Sequence, residues 1–429
     1  MKNLIAIVVS VCSCICVMGQ DIQFIHENFA SVCARAKAEK KLIFIDFYTV
    51  WCGPCKRMAA EVFKKPDVAE LYNSRFINYK LDAERGEGIA LAKKYEVSFY
   101  PSFVFIDADG NLYNKSVGYQ KDSIFMDLAR QSQKEFETPD NLVLLKAAYP
   151  KQKTDTAYLL KYINKLTAAE MSATDPVEQY LTIQTTIPAG SRTMMEFLST
   201  NRRSVRLGGK AEVILKKHID EFKKMGEGNK DQLFFLNSYD SYLLQNTRSY
   251  AKEYRSEAWM KLYMTNWKKQ PETVYERSSQ TPESLWLDFY ASTGNWVKYK
   301  KLADKYLDSL ARYAASQQPA TMKDQSMPAI KLRVLASILV QNAELYYKQF
   351  PDEKELNKKG LHWVAAAIHV NDQNAFTQSV YADFLYRNNQ RDEAINWKQR
   401  GLRTLTKSYH RDLMETNLAH MQKGEPLED

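Results

Sequence analysis

Cysteine, glycine and histidine are all scarce in this chain of 429 residues, which has six Cys, 15 Gly and six His. So few cysteines exclude a disulfide scaffold, and so few glycines exclude a collagen-like repeat. The six histidines, at 26, 218, 362, 369, 410 and 420, show no paired spacing of the kind a zinc site uses, so no metal is expected. Long apolar runs are absent beyond the extreme N-terminus; no internal segment offers the ~20 apolar residues that span a bilayer. Coiled-coil heptads are absent as well. Charge of one sign is not concentrated: 60 basic and 51 acidic residues give +9, scattered along the chain. A nucleic-acid surface needs a clustered basic stripe, so no nucleic-acid partner is expected. What is present is the composition of a folded protein, 45% hydrophobic and 26% charged. The length suits two or three domains.

Residues 1–19 read as an export signal. Lys2 supplies the positive start, Leu4 to Val17 the apolar stretch, and Val17-Met18-Gly19 the cleavage positions, leaving Gln20 as the mature N-terminus. The residues before Cys12, Cys14 and Cys16 fit a lipid-attachment box badly, which favours a free exported protein over an anchored one. Once the leader is removed, only Cys33, Cys52 and Cys55 remain.

Residues 20–138 alternate between strand and helix patterns. Phe29–Ala36 has helical spacing, and Lys41–Tyr48 (KLIFIDFY) is a run apolar enough for a strand covered on both faces. Helices are predicted from Cys52 to about Phe63, over Asp67–Ser74 and over Gly88–Tyr95, with a strand at Phe76–Asp82. Ser102–Asp107 and Leu112–Val117 flank Asp109-Gly110, which predicts a hairpin with a two-residue turn. A last helix runs from about Ser123 to Glu137. Together these elements make an α/β layer. Residues 139–429 carry only helical spacing, punctuated by proline, and form an all-α, repeat-like region. The segments at 285–310 and 360–405 have the look of tetratricopeptide-like helical hairpins, with turns at Gly294-Asn295 and Asn388-Asn389-Gln390. No clean 34-residue period accompanies them.

The chemistry lies in Trp51-Cys52-Gly53-Pro54-Cys55-Lys56. Two cysteines two residues apart at a helix start can run thiol–disulfide exchange. The free N–H groups of the first turn stabilise a thiolate at Cys52, and Cys55 lies one turn further in, able to resolve a mixed disulfide. A metal half-site and an inert structural disulfide are the competing readings. The first lacks further ligands, and the second would staple only a very small loop. Asp46, a lone carboxylate within KLIFIDFY, is anomalous unless its pKa rises or it finds a partner. Cys33 fits simple packing on its helix.

Residues 41–120 resemble the thioredoxin family. WCGPCK at 51–56 matches the family motif, and Asp46, Lys80, Pro101 and Gly118 fit its positions in the neighbouring strands. The resemblance covers the first third of the mature chain and not the helical remainder. It implies a thioredoxin fold with Cys52 as attacking nucleophile and Cys55 as resolving thiol. Asp46 would be the proton acceptor for Cys55, tuned by Lys80. It further implies that Pro101 is cis, and that Trp51, Gly53, Pro54, Tyr100, Pro101 and Gly118 shape the substrate surface. Tyr100 is bulkier than the family's usual residue there. Gly53-Pro54 places the chain by resemblance among reductants rather than among the His-bearing oxidants and isomerases.

The resulting expectation is an exported, periplasmic protein-disulfide reductase with no cofactor. Its clients would be disulfide-bearing proteins, its electron donor a membrane-bound reductase, and its mature chain free of membrane-spanning segments. The alternative is a helical binding or scaffold protein that uses the thioredoxin domain for docking.

Overall fold

The computed structural model describes residues 21–270, 280–319, 324–351, 353–405 and 409–427. The predicted leader, its three cysteines, Gln20 and the proline boundary at Pro271 lie outside the described residues. The chain divides into two compact units, Met1–Gln184 and Thr185–Asp429.

The first unit opens with α1 (Phe29–Glu39), whose N-cap Asn28 accepts a hydrogen bond from the Ser31 amide. Strand β1 (Leu42–Tyr48) follows, then α2 (Gly53–Arg57), which continues into one π-helical turn at Met58–Val62. Pro66 starts α3 (Pro66–Arg75), which leads into β2 (Phe76–Asp82). Next come α4 (Gly86–Lys94), β3 (Ser102–Ile106), β4 (Leu112–Val117) and α5 (Asp122–Glu137). The sheet order is β2-β1-β3-β4; β1 and β2 are parallel, and the other pairs antiparallel.

Alternation along β1 divides the core into two layers. Ile43, Ile45 and Phe47 pack with Val32 and Ala36 of α1 and Leu91 of α4. Leu42 and Phe44 face the other way, against Met58, Val62, Tyr72 and Phe125. Aromatic rings dominate that second layer, with Tyr72 stacked on Phe125 at 4.3 Å and Phe44 edge-on to Tyr72 at 4.8 Å.

The β3–β4 hairpin departs from the two-residue turn predicted for Asp109-Gly110. Asp107 N–H donates to Asn111 O and Gly110 N–H donates to Asp107 O, both at 3.0 Å, so three residues make the loop. Gly110, at φ +78°, takes the left-handed position that closes such a loop, and only glycine adopts it without strain.

The α/β layer closes with α5, and the compact unit continues to Gln184 through α6 (Leu142–Ala148), α7 (Thr156–Ala168) and α8 (Thr174–Ile183). Lys165 of α7 pairs with Glu135 of α5, and the Ser172 amide donates to Glu96 at 3.1 Å, tying these helices to the layer.

The second unit is helical throughout its described residues: α9 (Arg192–Thr200), α10 (Lys210–Met225), α11 (Lys230–Glu253), α12 (Glu257–Trp267), α13 (Pro282–Thr293), α14 (Trp296–Ala315), α15 (Met327–Gln349), α16 (Lys354–Val370), α17 (Ala375–Arg387), α18 (Arg391–Thr404) and α19 (Tyr409–Lys423). Helical hairpins form at both places where the spacing suggested them. Left-handed Gly294 (φ +71°) joins α13 to α14, and left-handed Asn389 (φ +64°) joins α17 to α18. Successive pairs begin at Pro282, Met327 and Ala375, 45 and then 48 residues apart by subtraction, with no 34-residue period. Gly360 of α16 sits so close to Phe384 of α17 that a Cβ there would lie 2.2 Å from the ring. Small-against-aromatic packing of this kind lets the two helices approach.

Candidate active site

The site assembles where β1 runs out into α2. Cys52 is the N-cap of α2, with Gly53 and Pro54 at its first positions, and it forms a disulfide with Cys55 (Cα–Cα 5.3 Å). The Cys55 amide donates to the Cys52 sulfur at 3.1 Å, so a helix-start N–H is aimed at the sulfur that would carry a thiolate. Both cysteines are buried in this oxidised form, Cys52 at 2% and Cys55 at 6% exposure. Cys33 is a free, half-buried thiol packed against the α1 side of the sheet, its pKa raised by burial.

Asp46 has the same parity as Phe44, so the alternation that buries Phe44 turns Asp46 toward the α2 side. It is 2% exposed, and its Oδ1 has no hydrogen-bond partner. Lys80 stands opposite it in the parallel register of β1 and β2, with Nζ 3.8 Å from Asp46 Oδ2. Burial pushes the Asp46 carboxyl up to about 6, while the Lys80 charge pulls it back down. A carboxyl titrating there can hold or release a proton near neutral pH.

Trp51 is 59% exposed, with its indole N–H donating to Glu84 at 2.9 Å and its ring edge-on to Tyr100 at 5.8 Å. The Tyr100–Pro101 bond is cis. Phe47 pairs with Ser102, so Pro101, just before Ser102, enters the sheet at the end where β1 leaves for α2. Gly118, at φ +87°, donates its amide to Pro101 O at 2.8 Å. The structure thus groups the sequence-predicted residues as a disulfide (Cys52, Cys55), an ion pair (Asp46, Lys80), an aromatic rim (Trp51, Tyr100) and a backbone link (Pro101, Gly118). Gly53 is exposed with open space around it.

Three further groups belong here that sequence reasoning did not single out. Glu84 fixes the Trp51 indole, and buried Thr49 has an Oγ1 with no partner. Tyr48 lies beneath the Lys80 ammonium, 4.8 Å from it. For Tyr48 a signal existed, because it is two residues from Asp46 on the same strand face. Among the described residues no cluster of three or more His, Cys, Asp or Glu could hold a metal, and no helix is long and apolar enough to cross a membrane.

Comparison with known proteins converges on the same region. A family model described as a thioredoxin-like domain matches residues 29–133. Thioredoxin-T of Drosophila melanogaster is 39% identical over 87 residues, 20% of this chain and 52% of that protein. Thioredoxin H4 of Arabidopsis thaliana is 40% identical over 90 residues, 21% of this chain and 71% of that protein. Thiol:disulfide interchange protein DsbD 2 of Pseudomonas aeruginosa is 36% identical over 95 residues, 20% of this chain and 16% of that protein. The chain therefore spans about half of the first relative and about seven tenths of the second.

Proposed function

The chain belongs to the thioredoxin-like family of thiol–disulfide oxidoreductases, and from that premise we propose that it is an exported protein-disulfide reductase. The observation that carries the reading is the Cys52–Cys55 pair at a helix start on the sheet face that buries Asp46.

In the proposed cycle the reduced Cys52 thiolate attacks a client disulfide. A bond forms between Cys52 and one client sulfur, the client S–S bond breaks, and the departing sulfur takes a proton. Asp46 accepts the proton of Cys55, whose thiolate then attacks the Cys52 sulfur. That second step releases the other client thiol and leaves the Cys52–Cys55 disulfide. The client has gained two electrons and the protein has lost two. Lys80 tunes Asp46. Trp51, Tyr100, Pro101 and Gly118 frame the surface on which an extended client segment lies, and Gly53-Pro54 adds no side chain that would further stabilise the thiolate. This last feature supports a reductant over an oxidant.

The leader at residues 1–19 supports export, most simply to a bacterial periplasm. An oxidising compartment requires an electron source for a reductant, and a membrane-bound reductase would supply it. Similarity to a thiol:disulfide interchange protein supports a redox partner of that kind. In this reading the helical unit selects which client disulfides reach Cys52.

Mature protein supplied with dithiothreitol should reduce insulin disulfides catalytically, and Cys52→Ser should abolish the catalysis by removing the nucleophile. Undiminished turnover by Cys52→Ser would overturn the assignment.

A further inference from the structure

We propose that Phe24, Tyr48 and Phe63 form an aromatic cage that positions the Lys80 ammonium beside Asp46. The cage makes the short segment before α1 a working part of the redox site. The proposal deepens the reading of Asp46 as proton acceptor and rests on it.

Lys80 Nζ lies 4.8 Å from the Tyr48 ring centroid, 5.6 Å from that of Phe24 and 6.0 Å from that of Phe63. All three distances fall within the ~6 Å over which a ring face attracts a cation. The ammonium needs such help. Its 3.8 Å separation from Asp46 Oδ2 is too long for a hydrogen bond, so no directional contact with the carboxylate fixes it. The Lys80 side chain is 27% exposed and flexible, and bulk water competes for its charge.

The rings themselves are anchored. Phe63 packs 5.5 Å from Phe125 and 6.3 Å from Phe103 in the aromatic core, and Phe24 lies 5.6 Å from Phe63. The segment carrying Phe24 is clamped at both ends. The Ile22 amide donates to Phe63 O at 3.0 Å, and the Ile25 amide donates to Asn78 O on β2 at 2.9 Å.

Rings hold a cation without neutralising it. A carboxylate in their place would pair with Lys80 and cancel its pull on Asp46, whereas ring quadrupoles leave the full charge facing Asp46. Tyr48 on β1 is the ionisable ring of the cage, and it in turn feels Asp82 at the end of β2 and Arg85 just beyond it. On the remaining sides, β3 places only Phe103 opposite Asp46, and the start of α2 carries the disulfide cysteines.

The test follows the Asp46 carboxyl band by infrared titration of the oxidised full-length protein, the band being identified by its loss in Asp46→Asn. Phe24 is only half-buried, so Phe24→Leu keeps the core. With one ring gone, the ammonium spends less time at the carboxylate. The Asp46 midpoint should therefore rise by roughly half a pH unit. Phe63→Leu should shift it in the same direction, Phe24→Tyr should restore it, and Lys80→Met should raise it most. An unchanged midpoint in both Leu variants, with Lys80→Met still shifting it, would overturn the cage while leaving Asp46 and Lys80 coupled. A shifted midpoint that the pH profile of insulin reduction fails to follow would support the cage and overturn Asp46 as proton acceptor.

Discussion

Asp46 with Lys80 in the first unit, and Asp383 with Lys398 in the second, each set a carboxylate largely out of water beside a lysine, and they differ in how the lysine is held. Lys398 is 1% exposed, lies 2.6 Å from Asp383, and donates to Ser379 Oγ at 2.8 Å and Ser379 O at 3.1 Å. Three oxygens thus lie close around the ammonium, two of them accepting its hydrogen bonds and the third an ion-paired carboxylate, as suits a buried charge that holds helices in register. Asp46 instead has its cation 3.8 Å away, too far to hydrogen-bond, and a disulfide just beyond the end of its strand. A lysine pinned among three close oxygens is poor at chemistry because its protons are committed. An under-satisfied carboxyl with a pKa of about 6 can give and take one.

The comparison can be broken most decisively at Lys398. Lys398→Met leaves Asp383 facing Glu344, which burial already pushes up to about 7. Removing one member of a buried pair costs ~3–5 kcal/mol, so the second unit should unfold at markedly lower urea while the first is unmoved. Equal urea midpoints would make Lys398 dispensable and the contrast empty.

Asp46→Asn should do the opposite. The native carboxyl titrates at about 6 against 3.8 for the ordinary group, so between pH 4 and 6 the folded state binds more protons than the unfolded one. Stability therefore falls as pH rises through that window, and above it the loss is about 3 kcal/mol. Asn removes the penalty: the variant should be about 2–3 kcal/mol more stable than the parent at pH 7.5 and equal to it near pH 3.5. Hydrogen exchange of the β1 amides reads this out, and a gain independent of pH would contradict it.

A smaller effect tests the helical packing. Gly360→Ala gains helix propensity of ~1 kcal/mol, but its Cβ would meet the Phe384 ring at 2.2 Å. Overpacking costs ~1–3 kcal/mol, so a net loss of about 1 kcal/mol is expected in the unfolding of the second unit.

Much of the first unit was legible because its signals are local. KLIFIDFY is apolar on both faces and became β1, and WCGPCK carries its own chemistry. The cage was not legible: Phe24 reaches Lys80 from 56 positions away and Phe63 from 17, and nothing in their immediate neighbourhood marks them. Glu84 reaches Trp51 across 33 residues in the same way. In the second unit α13, α14, α17 and α18 fall in the two segments whose spacing marks them as hairpins, whereas α9, α11, α12 and α19 carry no such mark. Helix α11 shows why, since Ser238 breaks its helical geometry (φ −121°) and with it the regular spacing.

The reductant assignment rests on Gly53-Pro54, and the reduction potential of the Cys52–Cys55 pair in the mature protein tests it most directly. Equilibration with glutathione and dithiothreitol buffers should place the pair near the thioredoxin value of about −270 mV. A value at or above about −180 mV, where isomerases and oxidants lie, would contradict the account.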